Sequence, residues 1–406
     1  MVAAGDEGRR WSALGMMFLI GLSVAIQLQT TQALAPFLVE RVGLSYAEIG
    51  ALTGLMMLPG VFFALPGGML AARLGDRRTM AIALALMLFG ALLFAATESY
   101  AVMVVARLIG GIGTAVLTTQ GLKVVTDWFA GTEISTAMSI NASSFGLGIG
   151  MATGLLSGIA AVTSWQVAVL TSVTLIGVAL CMVLVVYRDK ALPAAVRAGA
   201  DPTVSLTGPR HGLQISLHEF VLALLAAAMR MWFVSGYVLF MSFAPVLLIA
   251  RGMSVAQAGF LVSMSAVVAL GSVPLGGYLT DRTKKPNLFI TVGALGAAFA
   301  CFMLPQGGYA LVWILLFGLL RGACTGGIMA LPSEVLRPGS RNAGFGLSST
   351  VYFLGLSVIP PLAGWILDVT QDHDAPLWLA VGLWLMIPLT LLVFRVLQRR
   401  WRAPGV

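Results

Sequence analysis

Charged residues are scarce in this sequence. Only 10% of its 406 residues are Asp, Glu, Lys or Arg, whereas 59% are hydrophobic. A soluble domain typically carries about 25% charged residues. Long apolar stretches with so little charge exclude an ordinary soluble protein, and they predict an integral membrane protein whose helices cross the bilayer.

Cysteine and histidine are scarce as well, with three residues of each. Cys181, Cys301 and Cys324 lie in apolar runs without C-x-x-C spacing, so the sequence predicts neither a disulfide framework nor a metal site. It also lacks a phosphate-binding Gly-x-x-x-x-Gly-Lys loop and a recognisable nucleophile–base pair. We therefore expect no cofactor, no enzymatic activity and no transport driven directly by ATP.

Acidic residues are missing from the middle of the apolar runs. Every Asp and Glu lies in a predicted loop or near the end of a predicted span, and no histidine is central to one. The embedded charges are Arg107, Lys123, Arg230 and Arg321. An ionisable residue inside the bilayer is costly and is usually functional. Cations without an embedded carboxylate favour an anionic substrate and argue against a proton relay through a buried acid.

Twelve apolar stretches are long enough to cross a membrane, since a helix needs about 20 residues to do so. They occupy residues 13–38, 47–70, 79–97, 100–126, 135–160, 165–187, 219–248, 254–279, 287–305, 309–331, 343–367 and 376–397. Residues 188–218 contain three prolines, which is typical of a linker. We therefore predict an all-α membrane protein with two six-helix halves, residues 1–187 and 219–406, joined by this linker.

The two halves repeat one another in sequence. The polar, glycine-containing turn Gly67–Arg78 returns as Gly276–Lys285. Upstream, the Ala-Pro pair at residues 35–36 returns at 244–245, and the register between the copies holds without a gap. A parallel repeat of six helices is one way in which transporters are built. The repeat therefore predicts two pseudo-symmetric bundles.

Lys and Arg are distributed unevenly between the predicted loops. With the N-terminus inside, the outer loops hold only Arg41 and Arg251, and most other basic residues lie in inner loops. Because basic loops stay in the cytoplasm, we predict cytoplasmic termini, a cytoplasmic linker and a multi-pass protein of the cell (inner) membrane. The net charge of +8 then reflects topology, and we expect the lipid bilayer and no nucleic acid as a partner.

These motifs resemble those of the major facilitator superfamily of transporters. Gly277–Lys285 is similar to the superfamily's loop signature between helices 8 and 9, and Gly68–Arg78 is similar to the copy between helices 2 and 3, with Ala72 in place of the usual acid. Arg107–Ala115 is similar to the fourth-helix pattern of an arginine followed by glycines. The acid-less first loop also resembles the cyanate and nitroimidazole permease branch and anion porters. The resemblance implies the twelve-helix superfamily fold, and we expect a monomer.

The resemblance also implies a gating role for residues of the two loops. They are Gly68, Arg73, Asp76, Arg77, Gly277, Asp281 and Arg282. Asp281 stands where the first copy has Ala72. A carboxylate can accept hydrogen bonds from a helix N-terminus or pair with an arginine, and an alanine cannot. We therefore predict an asymmetric inner gate in which Asp281 forms the charged latch.

Arg230 and Arg321 are the best candidates for binding the substrate. Each lies about 11 or 12 residues into its span, which is near the middle of the bilayer at about 1.5 Å of rise per residue. Tyr237 is seven residues after Arg230 and therefore lies on the same helix face. Two guanidiniums near the midplane would clamp a carboxylate or an inorganic oxyanion. The alternative is that both arginines bridge helices.

Other polar residues are further candidates. The resemblance places Arg107 at a position linked to coupling or gating, and the alternative is a helix-packing arginine. Gln27, Gln120 and Tyr352 can give neutral hydrogen bonds to a substrate, or they can bond neighbouring helices instead. Lys123 lies close enough to the inner end of its span to reach lipid phosphates.

These residues predict a secondary transporter of a small anion, either an organic carboxylate or an inorganic oxyanion, that works by alternating access. Moving an anion against a negative interior costs about 2.3 kcal/mol per 100 mV. We therefore expect coupling, either by exchange with a counter-anion or by symport with a proton. The alternative is an exporter of amphiphilic drugs or neutral metabolites, which would contain a large apolar cavity and would use the arginines to pair helices.

Overall fold

The computed structural model describes residues 4–129, 134–187, 216–335 and 341–402. Side-chain surroundings are described within these ranges except at 4–9, 64–73 and several other positions that include Asp281. All regular structure in the described residues is helical. The helices are α1 (Ala4–Ala33), α2 (Ala35–Val42), α3 (Tyr46–Leu74), α4 (Asp76–Ala95), α5 (Tyr100–Phe129), α6 (Ile134–Met151), α7 (Ser157–Val162), α8 (Trp165–Val185), α9 (Leu217–Ala250), α10 (Val255–Thr283), α11 (Pro286–Met303), α12 (Ala310–Val335), α13 (Arg341–Thr370) and α14 (Ala375–Arg402). A π turn, Ala152–Leu156, joins α6 to α7.

The described residues contain 12 helical stretches that are long and apolar enough to cross a membrane. They overlap all of the predicted spans, so the all-α membrane fold is confirmed. Most of the predicted linker lies outside the described residues, and the division into two domains stays a prediction. We call residues 4–187 the N-terminal half and residues 216–402 the C-terminal half. The side of the bundle opposite the linker is called the far side.

Two predicted spans are interrupted in the structure. The span predicted at 13–38 breaks between α1 and α2, where Pro36 lies in the first turn of α2. Proline lacks a backbone N–H and clashes with the preceding turn, so it ends a helix or starts a new one. The span predicted at 135–160 contains the π turn, in which hydrogen bonds skip one residue more than in an α-helix. Hydropathy alone indicated neither interruption.

Serine residues cap the N-termini of two helices of the C-terminal half, α9 and α10. Ser216 and Glu219 form a capping box at the start of α9, and Ser254 and Gln257 form another at the start of α10. In each box two backbone N–H groups at the helix start gain side-chain acceptors. The first box fixes where α9 begins.

Helix α9 is the central helix of the C-terminal half. In the apolar 18-residue stretch of this helix, 83% of the residues are buried within the protein. Phe240 of α9 stacks on Phe317 of α12 with ring centroids 3.7 Å apart, and Phe233 meets Trp384 of α14 edge to face. The same apolar cluster includes Met56 from the N-terminal half. Side chains of α9 therefore face other helices, including those of the opposite half, more than they face lipid.

The two halves are packed together through small residues. Helices α3 and α13 lie so close that a Cβ atom at Gly54 would stand 2.3 Å from the carbonyl oxygen of Ser357. The π turn approaches α10 in the same way, since a Cβ atom at Gly154 would stand 2.8 Å from the Ser263 hydroxyl. The first contact is with backbone and the second with a side-chain hydroxyl, and in both a glycine lets the neighbouring helix approach closely. Both contacts lie between the middle of the bundle and the far side.

A carboxylate at the far side links the halves directly. Asp368, in the last turn of α13, accepts hydrogen bonds from the backbone N–H groups of Tyr46 at 3.0 Å and Ala47 at 2.6 Å. These residues begin α3, so a C-terminal carboxylate caps an N-terminal helix. An anion is favoured there because the first N–H groups of a helix lack partners and carry partial positive charge.

Arg251, one of the two basic residues in the predicted outer loops, has a structural role. It lies at the far side, just after α9, and its guanidinium donates to the carbonyl oxygen of Leu304 at 3.1 Å and to that of Pro305. It also pairs with Asp374 at 3.6 Å. The pKa of the Asp374 carboxyl lies above its ordinary value because burial raises it, and the nearby Arg251 offsets part of this rise. Arg251 therefore ties the far ends of α9, α11 and α14 together.

Candidate functional site

Arg321 is a buried cation with aromatic neighbours. It lies in the middle of α12 with 5% of its surface exposed. Its guanidinium carbon is 3.9 Å from the ring centroid of Tyr237 and 5.9 Å from that of Phe233, both on α9. The guanidinium makes no hydrogen bond or ion pair with any residue whose side chain is described. A buried charge without a partner is costly, so this position suits an anion that arrives from outside the protein.

Tyr237 and Arg321 both lie close to Gly146 in the N-terminal half. The Tyr237 hydroxyl donates a hydrogen bond to the backbone carbonyl of Gly146 in α6, at 3.1 Å. A Cβ atom at Gly146 would stand 3.3 Å from Nη2 of Arg321. Nearby, Gln29 of α1 donates to the Ser242 hydroxyl of α9 at 3.3 Å. We call the boundary formed by Gln29, Gly146, Tyr237, Ser242 and Arg321 the seam.

Arg230 lies on α9 about two helical turns before Tyr237 and has different partners. Its guanidinium carbon is 4.8 Å from the ring centroid of Tyr352, and Nη1 donates to the Ser348 hydroxyl at 3.4 Å, both on α13. The prediction that Arg230 and Tyr237 act together from one helix face stays a prediction, because the structure gives the two side chains different partners. Seven residues separate them by about 10.5 Å along the axis, and each side chain contacts a different neighbouring helix.

Arg107 is held within the N-terminal half. Its Nη1 donates to the backbone carbonyl of Gln27 at 3.1 Å and contacts the Met56 sulfur at 3.5 Å. Its guanidinium carbon lies 4.1 Å from the Phe94 ring centroid. The other two nitrogens have no partner among the described residues. Arg107 lines a cavity of about 10 Å³. That volume holds about one water molecule, so the cavity is too small for an organic anion.

The neutral candidates differ in their surroundings. The Gln27 amide donates to the Ser172 hydroxyl at 2.8 Å, which bonds α1 to α8 within one half. Gln120 is only 1% exposed, and neither its amide oxygen nor its amide nitrogen has a partner among the described residues. Gln120 therefore retains full capacity to bind a polar group, whereas the Gln27 side chain is already engaged.

Comparison with known proteins identifies the family. Residues 14–360 match the Major Facilitator Superfamily. The chain belongs to this superfamily. Its fold is similar to that of a D-xylose–proton symporter, with a TM-score of 0.73, 17% identity and coverage of 94% of this chain and 95% of the other. It is also similar to a bacterial homologue of the lysosomal transporter Spinster, with a TM-score of 0.71, 16% identity and coverage of 95% and 96%.

Two curated relatives share parts of the sequence. Monocarboxylate transporter 12 of Rattus norvegicus is 27% identical over 161 residues, which are 38% of this chain and 33% of the rat protein. The hexuronate transporter of Bacillus subtilis is 22% identical over 273 residues, which are 66% of this chain and 64% of the bacterial protein. The match therefore spans a third of one relative and slightly less than two thirds of the other. Membership in the superfamily places the chain in a family of multi-pass membrane transporters.

The superfamily loop residues are engaged near the linker side. Asp76 pairs with Lys123 at 2.6 Å, so Lys123 binds a carboxylate of its own half. Arg77 donates to the backbone carbonyl of Leu184, and Arg282 donates to the Tyr278 hydroxyl at 2.9 Å.

Four further loop positions complete this set. Gly277 leaves open space where a Cβ atom would stand. The surroundings of Gly68, Arg73 and the Asp281 side chain lie outside the described residues. The prediction of a latch at Asp281 therefore stays a prediction.

Several residues of the site were not predicted. Gly146, Phe233 and Ser348 contact the two arginines or their tyrosines, and Asp368 joins the halves at the far side. A signal for Gly146 is present in the sequence, because Gly146, Gly150 and Gly154 recur every four residues. Small residues at that spacing indicate close approach between membrane helices. No comparable pattern marks Phe233, Ser348 or Asp368.

Proposed function

We propose that the protein transports a small organic carboxylate and that Arg321 binds its charge. The observation that carries this proposal is the buried Arg321 guanidinium at the seam, which has aromatic neighbours and no hydrogen bond or ion pair to a described residue. Arginine binds carboxylates through two parallel hydrogen bonds. A carboxylate at Arg321 would supply the missing partners and neutralise the charge.

The named relatives support the chemical class. Monocarboxylates and hexuronates both carry a carboxylate, and the proteins named for them match parts of this chain. An inorganic oxyanion would satisfy the guanidinium as well, but neither relative is named for one. An organic carboxylate is therefore the substrate class that best combines the site with the relatives.

Other polar side chains complete the proposed site. Arg230 and Tyr352 lie on adjacent helices of the same half and offer a second cation and a phenol. They suit a second polar group on the substrate. Gln120 offers an unpartnered amide from the N-terminal half. Arg107 is satisfied in part within its own half, and we assign it to coupling or gating instead of substrate binding.

The arrangement of carboxylates bears on coupling. Among the described helices, each acidic side chain lies in a first or last turn, as at Glu48, Asp76, Glu219, Glu334 and Asp368. A membrane-embedded carboxylate for carrying protons is therefore not seen in this part of the chain. We propose that transport is coupled either to exchange with a counter-anion or to symport of a proton with the substrate. We further propose that the protein lies in the cell (inner) membrane, with its termini and linker in the cytoplasm.

Counterflow into phospholipid vesicles tests this proposal. Vesicles that contain the purified protein are preloaded with unlabelled pyruvate, glucuronate or glucose, and uptake of the same labelled compound is measured. We expect pyruvate or glucuronate to accumulate and glucose, which resembles glucuronate without the carboxylate, to be excluded. If glucose enters as fast as glucuronate, the charge is not recognised and the proposal is wrong. Transport of ethidium in place of both acids would support the exporter of amphiphilic compounds instead.

A further inference from the structure

The Tyr237 side chain is engaged on both its face and its hydroxyl. The ring face covers the Arg321 guanidinium at 3.9 Å. The hydroxyl donates its one proton to the Gly146 carbonyl at 3.1 Å. A phenol has a single O–H donor, so Tyr237 cannot donate to an anion while it bonds Gly146. This arrangement does not suit a direct substrate ligand.

The bond from Tyr237 crosses between the halves at the position of the charge. Gly146 belongs to α6 in the N-terminal half, whereas Tyr237 and Arg321 belong to α9 and α12. Because a Cβ atom at Gly146 would stand 3.3 Å from Arg321, the guanidinium and the Tyr237 hydroxyl meet the same short stretch of α6. The only other side-chain hydrogen bond across the halves at this depth, among the described residues, joins Gln29 to Ser242.

Closing the halves at this point encloses the Arg321 charge. Burying an unpaired guanidinium is unfavourable, and burying a guanidinium that is paired with a carboxylate is much less so. A directional hydrogen bond beside the charge helps the closed arrangement to form, and the stacked ring keeps the guanidinium beside Gly146. Tyr237 thus links the position of the cation to the closure of the seam.

We propose that Tyr237 is a positioning residue for transport: it holds Arg321 at the seam, and its bond to Gly146 stabilises the arrangement in which the halves are closed over the site. The inference rests on the proposed function only where it takes the anion bound at Arg321 to be the substrate carboxylate. It predicts that removal of the hydroxyl changes the balance between closed and open arrangements without removing the cation or its aromatic support.

A distance measurement between spin labels tests this role. The native cysteines are replaced, and labels are attached to cysteines introduced at Glu98 and Gln306, which are exposed at the far side on opposite halves. Electron–electron resonance then reports the ratio of short to long distances in wild type and in Tyr237→Phe. We expect the ratio to fall about fivefold, since one hydrogen bond of ordinary net strength is lost. The unfolding midpoint should remain close to that of wild type.

Tyr352→Phe is the matched control, because it removes the hydroxyl from the other arginine-stacked tyrosine of the same half. No hydrogen bond from Tyr352 to the N-terminal half is seen in the described part of the chain, so its distance ratio should equal that of wild type. An unchanged ratio in Tyr237→Phe, or an equal shift in Tyr352→Phe, would overturn the inference. The measurement needs no substrate. Failure of anion transport would therefore leave this result standing, and the reverse is also true.

Discussion

Arg107 and Arg321 occupy comparable places in the two halves and have different surroundings. Each lies in the fourth span of its half, in α5 and α12 respectively. Both are at least 95% buried, and each guanidinium lies about 4 Å from an aromatic ring centroid, Phe94 for one and Tyr237 for the other. By burial and aromatic contact alone, the two arginines are nearly equivalent.

The difference lies in what else each guanidinium contacts. Arg107 donates to the Gln27 carbonyl and borders a cavity of about 10 Å³, all within the N-terminal half. Arg321 makes no hydrogen bond to a described residue and stands against Gly146 of the opposite half. A buried arginine is therefore informative about transport when it lies between the halves with spare hydrogen-bonding capacity. Burial within a single half indicates a contribution to packing or coupling.

The largest expected difference concerns substrate affinity. Arg321→Gln should raise the half-saturating concentration of the transported acid, pyruvate or glucuronate, by about a hundredfold, because it removes the charged partner of a buried carboxylate. Arg107→Gln should change it by less than about threefold. Initial uptake rates over a series of concentrations give both values. An equal loss of affinity in the two variants would show that the comparison does not separate binding from packing.

A smaller difference is expected from adding one methyl group beside each arginine. In Gly146→Ala the new Cβ atom would stand 3.3 Å from Nη2 of Arg321, and the flexible end of the side chain must shift by a few tenths of an ångström. We expect affinity to fall about threefold. Gly110→Ala, beside the Arg107 cavity, has its nearest contact at 4.0 Å and should leave affinity unchanged. A larger effect at Gly110 than at Gly146 would contradict the assignment.

The smallest effect is expected at Gln27. Gln27→Leu removes the hydrogen bond to Ser172, and its net loss of about 1 kcal/mol should lower the unfolding midpoint by about 1–2 °C in a protein of this size. Affinity for the acid should not change. Ser172→Ala provides the second arm of a double-mutant cycle. Because Ser172 also donates to the Val169 carbonyl at 2.6 Å, the cycle is judged by the coupling between the two substitutions, which should be about 1 kcal/mol. Loss of affinity in Gln27→Leu would return Gln27 to the binding site.

Much of the fold was predictable because the bilayer limits it. A span must be about 20 apolar residues long and must satisfy its own backbone hydrogen bonds, so hydropathy located all of the spans. Local breaks such as the one before Pro36 and the π turn follow from backbone hydrogen bonding over a few residues. An apolar average over a window does not register them. The burial of Arg107 and Arg321 was also predictable, since both lie well inside long apolar runs.

The pairing of side chains was not predictable from one helix at a time. Periodicity placed Arg230 and Tyr237 on one face of α9, but it did not indicate the partner of either side chain. Their partners, Tyr352 and Arg321, come from α13 and α12, and those contacts depend on how the helices pack sideways. The repeat of Gly146, Gly150 and Gly154 was the one sequence signal for the seam.

The π turn at Ala152–Leu156 gives the span formed by α6 and α7 one residue of slack in its length. Deletion of a single residue within the turn would restore a continuous α-helix, and the flanking segments would keep their faces, with Gly146 toward Arg321 and Ser157 toward Gly259. Helix α12 has no such turn. Loss of one residue there would rotate Arg321 by about 100° relative to the end of the helix beyond the deletion. The two helices that meet at the seam therefore differ in their tolerance of a change in length.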